Sequence, residues 1–161
     1  MGQYWKVVNL DKKEYVLPHK IGSGLKLWEQ LAAHPGPGAA LVILCAAMPE
    51  ARGGGDFDLE DNWHGPDRVD MTKAGPALSE DYQAIAHRTI GRWAGDRIAL
   101  VGDYAEDGDL SPEHIASTIY ARCEDGEFID VSDDVARVIE HELNGHYTGT
   151  GWLRWEEPPR S

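Results

Sequence analysis

The sequence predicts an α+β fold, in one domain over residues 1–161, with a mixed β-sheet, an N-terminal hairpin and about four helices. Two observations carry the fold class. The first 17 residues have the alternation and the turn residues of a hairpin. Residues 97–131 read as strand, helix and strand, and the two strands are expected to run parallel if they share a sheet. A chain of 161 residues with 42% hydrophobic side chains is also long enough to bury a core.

The N-terminal half is predicted from these patterns. Residues 4–10 and 14–17 form the hairpin, and Pro18 ends its second strand. Apolar side chains at helical spacing predict a helix over residues 25–32. Residues 39–48 are an unbroken apolar run, which favours a central strand, with a buried helix as the alternative. Residues 49–78 hold five Gly, three Pro and many acids, which indicates a long acidic loop that is either functional or disordered.

The C-terminal half has clearer start and stop signals. Its predicted elements are, in order, a helix capped by Ser79, strands over residues 89–93 and 97–104, a helix starting at Ser111-Pro112-Glu113, a strand over residues 127–131, and a helix from Ser132 that Gly145 ends.

Composition excludes several classes of protein. A net charge of −13 argues against nucleic-acid binding, because phosphates need a basic surface. The longest apolar run is too short to cross a bilayer, so no membrane partner is expected. Cys45 and Cys123 lie far apart without a CxxC motif, which is typical of free thiols in a reducing, cytoplasmic compartment. The six Trp favour self-association through an aromatic face, as in a homo-oligomer.

Positive charge is concentrated at the start of the chain. Five of the six lysines fall within the first 26 residues, which contain only two acids. Gly22, Ser23 and Gly24 are predicted to open a helix whose free N–H groups hold an anion. The predicted ligand-binding set is His19, Lys20, Gly22, Ser23, Gly24 and Lys26. The alternative is a Gly-rich helix entry, with lysines that keep the hairpin soluble.

Two His-x-Thr triplets resemble the paired triplets of the 2H phosphoesterases, in which one His acts as base and the other as acid. They supply His87, Thr89, His146 and Thr148 as candidate catalytic residues. The second triplet lies among glycines rather than in an apolar strand, which departs from that family. Residues 141–146, HELNGH, space their histidines five apart and therefore fail as a zinc helix, which needs a spacing of four. Whether the chain is an enzyme is left open.

The acids after residue 102 are candidate metal ligands, namely Asp103, Asp107 and Asp109. They do not fit a calcium-binding EF-hand loop, because its third and twelfth positions are Ala105 and His114. The favoured interpretation is a turn whose acids lie near a helix N-terminus, with no metal and no cofactor. Asp96 and Arg97 are expected to pair with other charges rather than to perform catalysis.

The phrases MGQYWKVVNLDKKEYVLPHKIGSGLKLWEQ and GRWAGDRIALVGDYAEDGDL resemble a family of small soluble proteins found in bacteria, their phages and some fungi. The resemblance covers the first 30 residues and about residues 90–110. It implies a stand-alone soluble protein. No activity, cofactor or catalytic residue comes with it.

Three functions are compatible with these patterns. The first is a binding or regulatory module that recognises an anionic ligand or a protein partner near the basic N-terminal segment. The second is a phosphoesterase or nucleotide-acting enzyme that uses histidines as acid and base. The third is an acidic mimic of nucleic acid, whose carboxylates imitate phosphates.

Overall fold

The computed structural model describes residues 3–22, 26–28, 35–47, 57, 59 and 79–145. The predicted N-terminal hairpin is confirmed: β1 (Trp5–Asn9) pairs antiparallel with β2 (Glu14–Val16). The Asn9 side-chain oxygen accepts the N–H groups of Asp11 and Lys12, at 3.0 and 2.8 Å, and so holds the turn together. Lys13 takes a left-handed conformation, with φ of 55°, at the end of that turn.

The sheet has four strands in the order β3-β1-β2-β4. Strand β3 (Ile98–Gly102) is antiparallel to β1, and β4 (Ile129–Asp130) is parallel to β2. Strands β3 and β4 therefore run parallel to each other, as the strand, helix and strand pattern predicts. The helix between them is α4 (Ala116–Glu124). The sheet is mixed, and the predicted α+β class is confirmed.

The described residues contain four helices besides α4. They are α1 (Pro18–Ile21), α2 (Pro37–Cys45), α3 (Glu80–Thr89) and α5 (Ser132–Gly145). The prediction for α3 is confirmed down to its cap, because the Ser79 hydroxyl accepts the Tyr82 N–H at 3.1 Å. None of the helices in these parts of the chain is long and apolar enough to cross a membrane.

The strand predicted over residues 39–48 is wrong, since the described part of that run forms α2. Gly36 is its N-cap and Pro37 stands at its first turn, where a missing N–H costs nothing. Ala40, Ile43 and Leu44 are buried while Val42 is 68% exposed. An unbroken apolar run fits a buried strand and a buried helix equally well, and the Pro start signal decides for the helix.

The strand predicted over residues 89–93 is also wrong. Helix α3 ends at Thr89, and turns follow it. The N–H groups of Gly91 and Trp93 donate to the carbonyls of Ile43 and Leu44, at 2.9 and 2.8 Å. These carbonyls lie in the last turn of α2, where no partner exists within the helix. The segment therefore satisfies the end of α2 instead of joining the sheet.

Two further boundaries differ from the prediction. Residues 112–114 form a turn, and α4 begins only at Ala116. In its first turn the N–H and hydroxyl of Ser117 donate to the Asp107 carboxylate. The strand predicted over residues 127–131 is reduced to Ile129–Asp130. Of the helix predicted over residues 25–32, residues 26–28 are a turn, and the others lie outside the described residues.

The core is divided by the sheet. One buried cluster takes Val7 and Val16 from the sheet, with side chains of α1, α2, α3 and α5. The other takes Val8 and Val101, with Ile119 and Cys123 of α4. Of the long loop predicted over residues 49–78, Phe57 and Leu59 are described, and both are buried in the first cluster. Helices therefore cover both faces of the sheet.

Candidate functional site

Three lysines of the basic N-terminal segment, Lys6, Lys12 and Lys20, contact different parts of the molecule. Lys6 is buried beneath α4, with its Nζ 3.2 Å from the centre of the Tyr120 ring and 3.5 Å from Glu124 Oε1. Lys12 pairs with Asp96, on the segment before β3. Their ammonium groups are thus compensated by separate carboxylates and do not form one patch.

The predicted ligand-binding residues are partly engaged within the protein. His19 and Lys20 are exposed on α1, and Lys20 Nζ lies 2.9 Å from Asp130 Oδ2 and 3.6 Å from Asp133 Oδ1. The hydrogen bond to Asp130 raises the pKa of Lys20. The Gly22 N–H donates to the Pro18 carbonyl. Lys26 is exposed, while Ser23 and Gly24 lie outside the described residues. Anion binding here stays a prediction, although the Lys20 ammonium group and the Gly22 N–H already have partners within the protein.

The two-histidine site also stays a prediction. His87 is exposed near the end of α3, and the Thr89 hydroxyl donates to the Ile85 carbonyl at 2.6 Å. That bond removes the Thr89 proton from any phosphate. His146 and Thr148 lie outside the described residues.

The acids after β3 serve local structure. Asp103 Oδ1 accepts the Tyr4 N–H at 3.0 Å, and Asp109 Oδ2 accepts the Glu106 N–H at 2.8 Å. Asp107 accepts from Ser117, as described above. In the part of the chain that the structure describes, no group of three or more His, Cys, Asp or Glu side chains is placed to hold a metal ion.

A buried carboxylate joins the hairpin to the turns after α3. Glu14, on β2, is only 2% exposed. It accepts hydrogen bonds from Trp93 Nε1 and Arg92 Nε, each at 2.9 Å, and Arg92 Nη2 is 2.5 Å from its second oxygen. Because a buried carboxylate needs a charged or hydrogen-bonded partner, this contact fixes the hairpin against the segment.

Further contacts connect the same two stretches. Asp11 accepts the backbone N–H of Arg97 at 2.7 Å and its Nε at 2.9 Å, and these bonds lower the pKa of Asp11. Asp96 accepts from Lys12 and from Asn9, which lowers its pKa as well. The expectation that Asp96 and Arg97 pair with other charges is confirmed. These contacts, with those of Glu14, join the hairpin to residues 92–97.

One side of β3 has no strand beside it among the described residues. The Leu10 N–H donates to the Arg97 carbonyl, and the Asp103 N–H donates to the Tyr4 carbonyl. These two bonds, with the register of the strands, show which backbone groups of β3 face β1. In an antiparallel ladder the residues between such pairs point their N–H and C=O groups outward. Ile98 and Leu100 therefore present both backbone groups at the free edge, and Gly102 presents its N–H.

A cavity of about 320 Å³ lies beside this edge. Its lining is mainly apolar and includes Trp5, Leu100, Ala105, Asp109 and Leu110. Trp5 and Leu100 share one face of the sheet, while Val101, also in the lining, lies on the other. The cavity thus draws on both sides of the strand.

Exposed apolar side chains lie on residues that line the cavity or are next in sequence to its lining. Leu100 is 40% exposed, and Tyr4, Tyr104 and Ile115, each adjacent in sequence to a lining residue, are 46%, 67% and 58% exposed. Tyr combines a large apolar area with a polar tip and is enriched at interfaces. We call the outer edge of β3, the cavity and these four side chains the β3 docking surface.

No protein-family model, no curated protein and no solved structure matches this chain. The function is therefore argued from the geometry alone.

Sequence reasoning missed the β3 docking surface. It identified residues 97–104 as a strand but gave no position within the sheet, since strand order depends on contacts distant in sequence. One signal was available: residues 98–102, IALVG, carry no charge and no Pro. Free edges are ordinarily protected by Lys, Pro or a bulge, so an unprotected edge indicates an interface.

Proposed function

We propose that this chain is a binding module that holds an extended segment of a partner protein against the free edge of β3. The observation that carries the proposal is the outward-facing backbone of Ile98 and Leu100 beside an apolar cavity. An added strand gains main-chain hydrogen bonds from such an edge, and pockets for its alternate side chains give specificity.

The dimensions support this mode of binding. Strand β3 has five residues, which is enough to pair with a short segment. The cavity volume of about 320 Å³ is at the small end for a ligand site and suits an apolar side chain of the added strand. Exposed Leu100, Tyr4 and Tyr104 would be covered by the segment, so apolar area leaves water on binding.

The sequence favoured a binding module whose site lies at the basic N-terminal segment. We propose the same class of protein, with its binding site at the β3 docking surface. Three of the five lysines of the N-terminal segment, Lys6, Lys12 and Lys20, are divided between Tyr120, Glu124, Asp96 and Asp130. The β3 docking surface, in contrast, combines a cavity and exposed aromatic rings with backbone groups that no strand pairs among the described residues. A protein segment therefore fits the described geometry better than a small anion.

The test uses three fluorescein-labelled heptapeptides. All three have Leu and Val at the same alternating positions, and the positions between them are all Arg in the first peptide, all Gln in the second and all Glu in the third. Fluorescence anisotropy measures the Kd of each for the full chain. We expect at least one to bind and Leu100→Lys to weaken it by about tenfold or more, since the change removes apolar lining and places a charge at the edge.

The matched control is Val42→Lys, which changes an equally apolar and more exposed side chain on α2. It should leave the Kd of each peptide unchanged. Failure of all three peptides to bind, or equal weakening by both variants, would contradict the proposed function.

A further inference from the structure

We infer that the partner segment carries an Arg or Lys next to its apolar residue, so that the β3 docking surface recognises a cationic, extended peptide. This inference rests on the proposed function and adds the chemistry of the partner. It is carried by Asp109, which lines the cavity, and by the exposed carboxylates and aromatic rings on neighbouring residues of the chain.

Negative charge is concentrated beside the cavity. From residue 98 to residue 121 the chain has five acids and no Lys or Arg. Four of these acids, Asp103, Glu106, Asp107 and Asp109, are exposed in the segment that follows β3. Asp109 also lines the cavity. A cation bound there would lie close to several carboxylates, which favours its binding.

The hydrogen bonds of these carboxylates position them without neutralising them. Asp103, Asp107 and Asp109 accept from the Tyr4 N–H, from Ser117 and from the Glu106 N–H, all of which are neutral donors. Among the described residues, no ion pair of any of the four acids is found. Their charge is therefore available to a partner.

The exposed aromatic rings select the same chemistry. Tyr4 lies opposite Asp103 in the extension of the β1–β3 ladder. Tyr104 follows Asp103 in the chain. Arg and Lys are attracted to the face of an aromatic ring and to a carboxylate alike. Two exposed rings and several exposed carboxylates, on residues in or close to the stretches that line the cavity, thus favour a cationic side chain over a neutral or acidic one.

A second copy of this chain is a poorer occupant of the edge. It would bring the same carboxylates to the contact and a net charge of −13, so like charges would oppose pairing. A basic partner is instead attracted by the overall charge, and its association is accelerated at low salt.

The test compares Kd values of the Arg, Gln and Glu heptapeptides for the wild-type chain and for Glu106→Gln/Asp109→Asn. We expect the order Arg, then Gln, then Glu. Neutralising the two acids should weaken the Arg peptide by about two- to fivefold per carboxylate and leave the Gln peptide unchanged. Glu140→Gln, an exposed acid on α5, is the matched control and should change nothing.

The outcomes separate this inference from the proposed function. If the Gln and Glu peptides bind as tightly as the Arg peptide and Leu100→Lys weakens all three, the cationic preference is overturned and the docking edge stands. If no peptide binds and sedimentation shows a dimer that Leu100→Lys dissociates, the occupant is a second copy and the inference is overturned. If nothing binds and the chain stays monomeric, both fail.

Discussion

Glu14 shows how one residue can connect distant parts of this chain. Its carboxylate is buried on β2 and receives Trp93 Nε1 and the guanidinium of Arg92, residues almost 80 positions later. A buried acid in a strand of three residues is costly unless it is paired, so these donors explain why an acid is tolerated there. The sequence alone placed Glu14 at the start of a strand but could not indicate its partners.

Replacing Glu14 by Gln tests the importance of this pair. Gln keeps an acceptor for Trp93 but loses the charge that holds Arg92, whose side chain is 40% exposed. We expect the free energy of unfolding to fall by about 1–3 kcal/mol, measured by urea denaturation. Glu113→Gln, at the exposed pair with Arg97, should cost clearly less. Equal losses in the two variants would show that burial of Glu14 has no special weight.

At the scale of elements, the prediction succeeded where local signals are strong. The hairpin follows from alternation and turn residues, and α3 follows from the Ser79 cap with acids in its first turn. The strand favoured over residues 39–48 is wrong and its alternative, a buried helix, is right, because an apolar run has no periodicity to distinguish helix from strand. The strand predicted over residues 89–93 is wrong for another reason, since this segment pairs with the end of α2. The N–H groups of Gly91 and Trp93 that cap α2 depend on tertiary contact, which local sequence does not encode.

Gly22 illustrates a close approach between elements. It is the C-cap of α1, and a methyl group at this position would overlap the Pro35 backbone carbonyl, just before α2. The backbone at Gly22 or Pro35 would have to shift to make room for the methyl group. We therefore expect Gly22→Ala to lower the free energy of unfolding by about 1–3 kcal/mol in thermal or urea denaturation.

Gly95→Ala is the comparison for Gly22→Ala. A methyl there meets nothing within 4 Å, but φ is +83°, so its cost comes from the backbone conformation alone. A Gly22→Ala variant as stable as the wild-type chain would contradict the close approach.

At the scale of the whole molecule, the positions of charged residues along the sequence do not predict where their charges lie in the folded structure. Five lysines in the first 26 residues suggested one basic surface. Folding buries Lys6 beneath α4 and pairs Lys12 and Lys20 with carboxylates at positions 96 and 130. These pairings depend on sheet order and could not be read from spacing. The acids at residues 103–109, by contrast, remain together because they are adjacent in the chain.

The ion pairs make stability depend on pH in acid solution. Hydrogen bonds from Arg97, from Lys12 and from Arg88 hold the pKa values of Asp11, Asp96 and Asp134 below the ordinary 3.8. A carboxyl whose pKa is lower in the folded state stabilises the protein above its unfolded pKa, and that contribution is lost as the pH falls through the folded value.

We therefore expect the free energy of unfolding, measured in urea, to fall as the pH is lowered from about 5 to about 3. Asp96→Asn should make this decline less steep while lowering stability at neutral pH. A variant with the same pH profile as the wild-type chain would contradict the assigned pairing of Asp96.

Hydrogen exchange at the Leu100 amide shows directly whether the outer edge of β3 accepts an extended segment. That N–H points away from β1, whereas the Ala99 N–H is already paired within the sheet. With saturating Arg heptapeptide, NMR should show exchange at Leu100 slowed by about tenfold or more, and a smaller change at Ala99. An unchanged exchange rate at Leu100, with the peptide bound, would contradict strand addition at this edge.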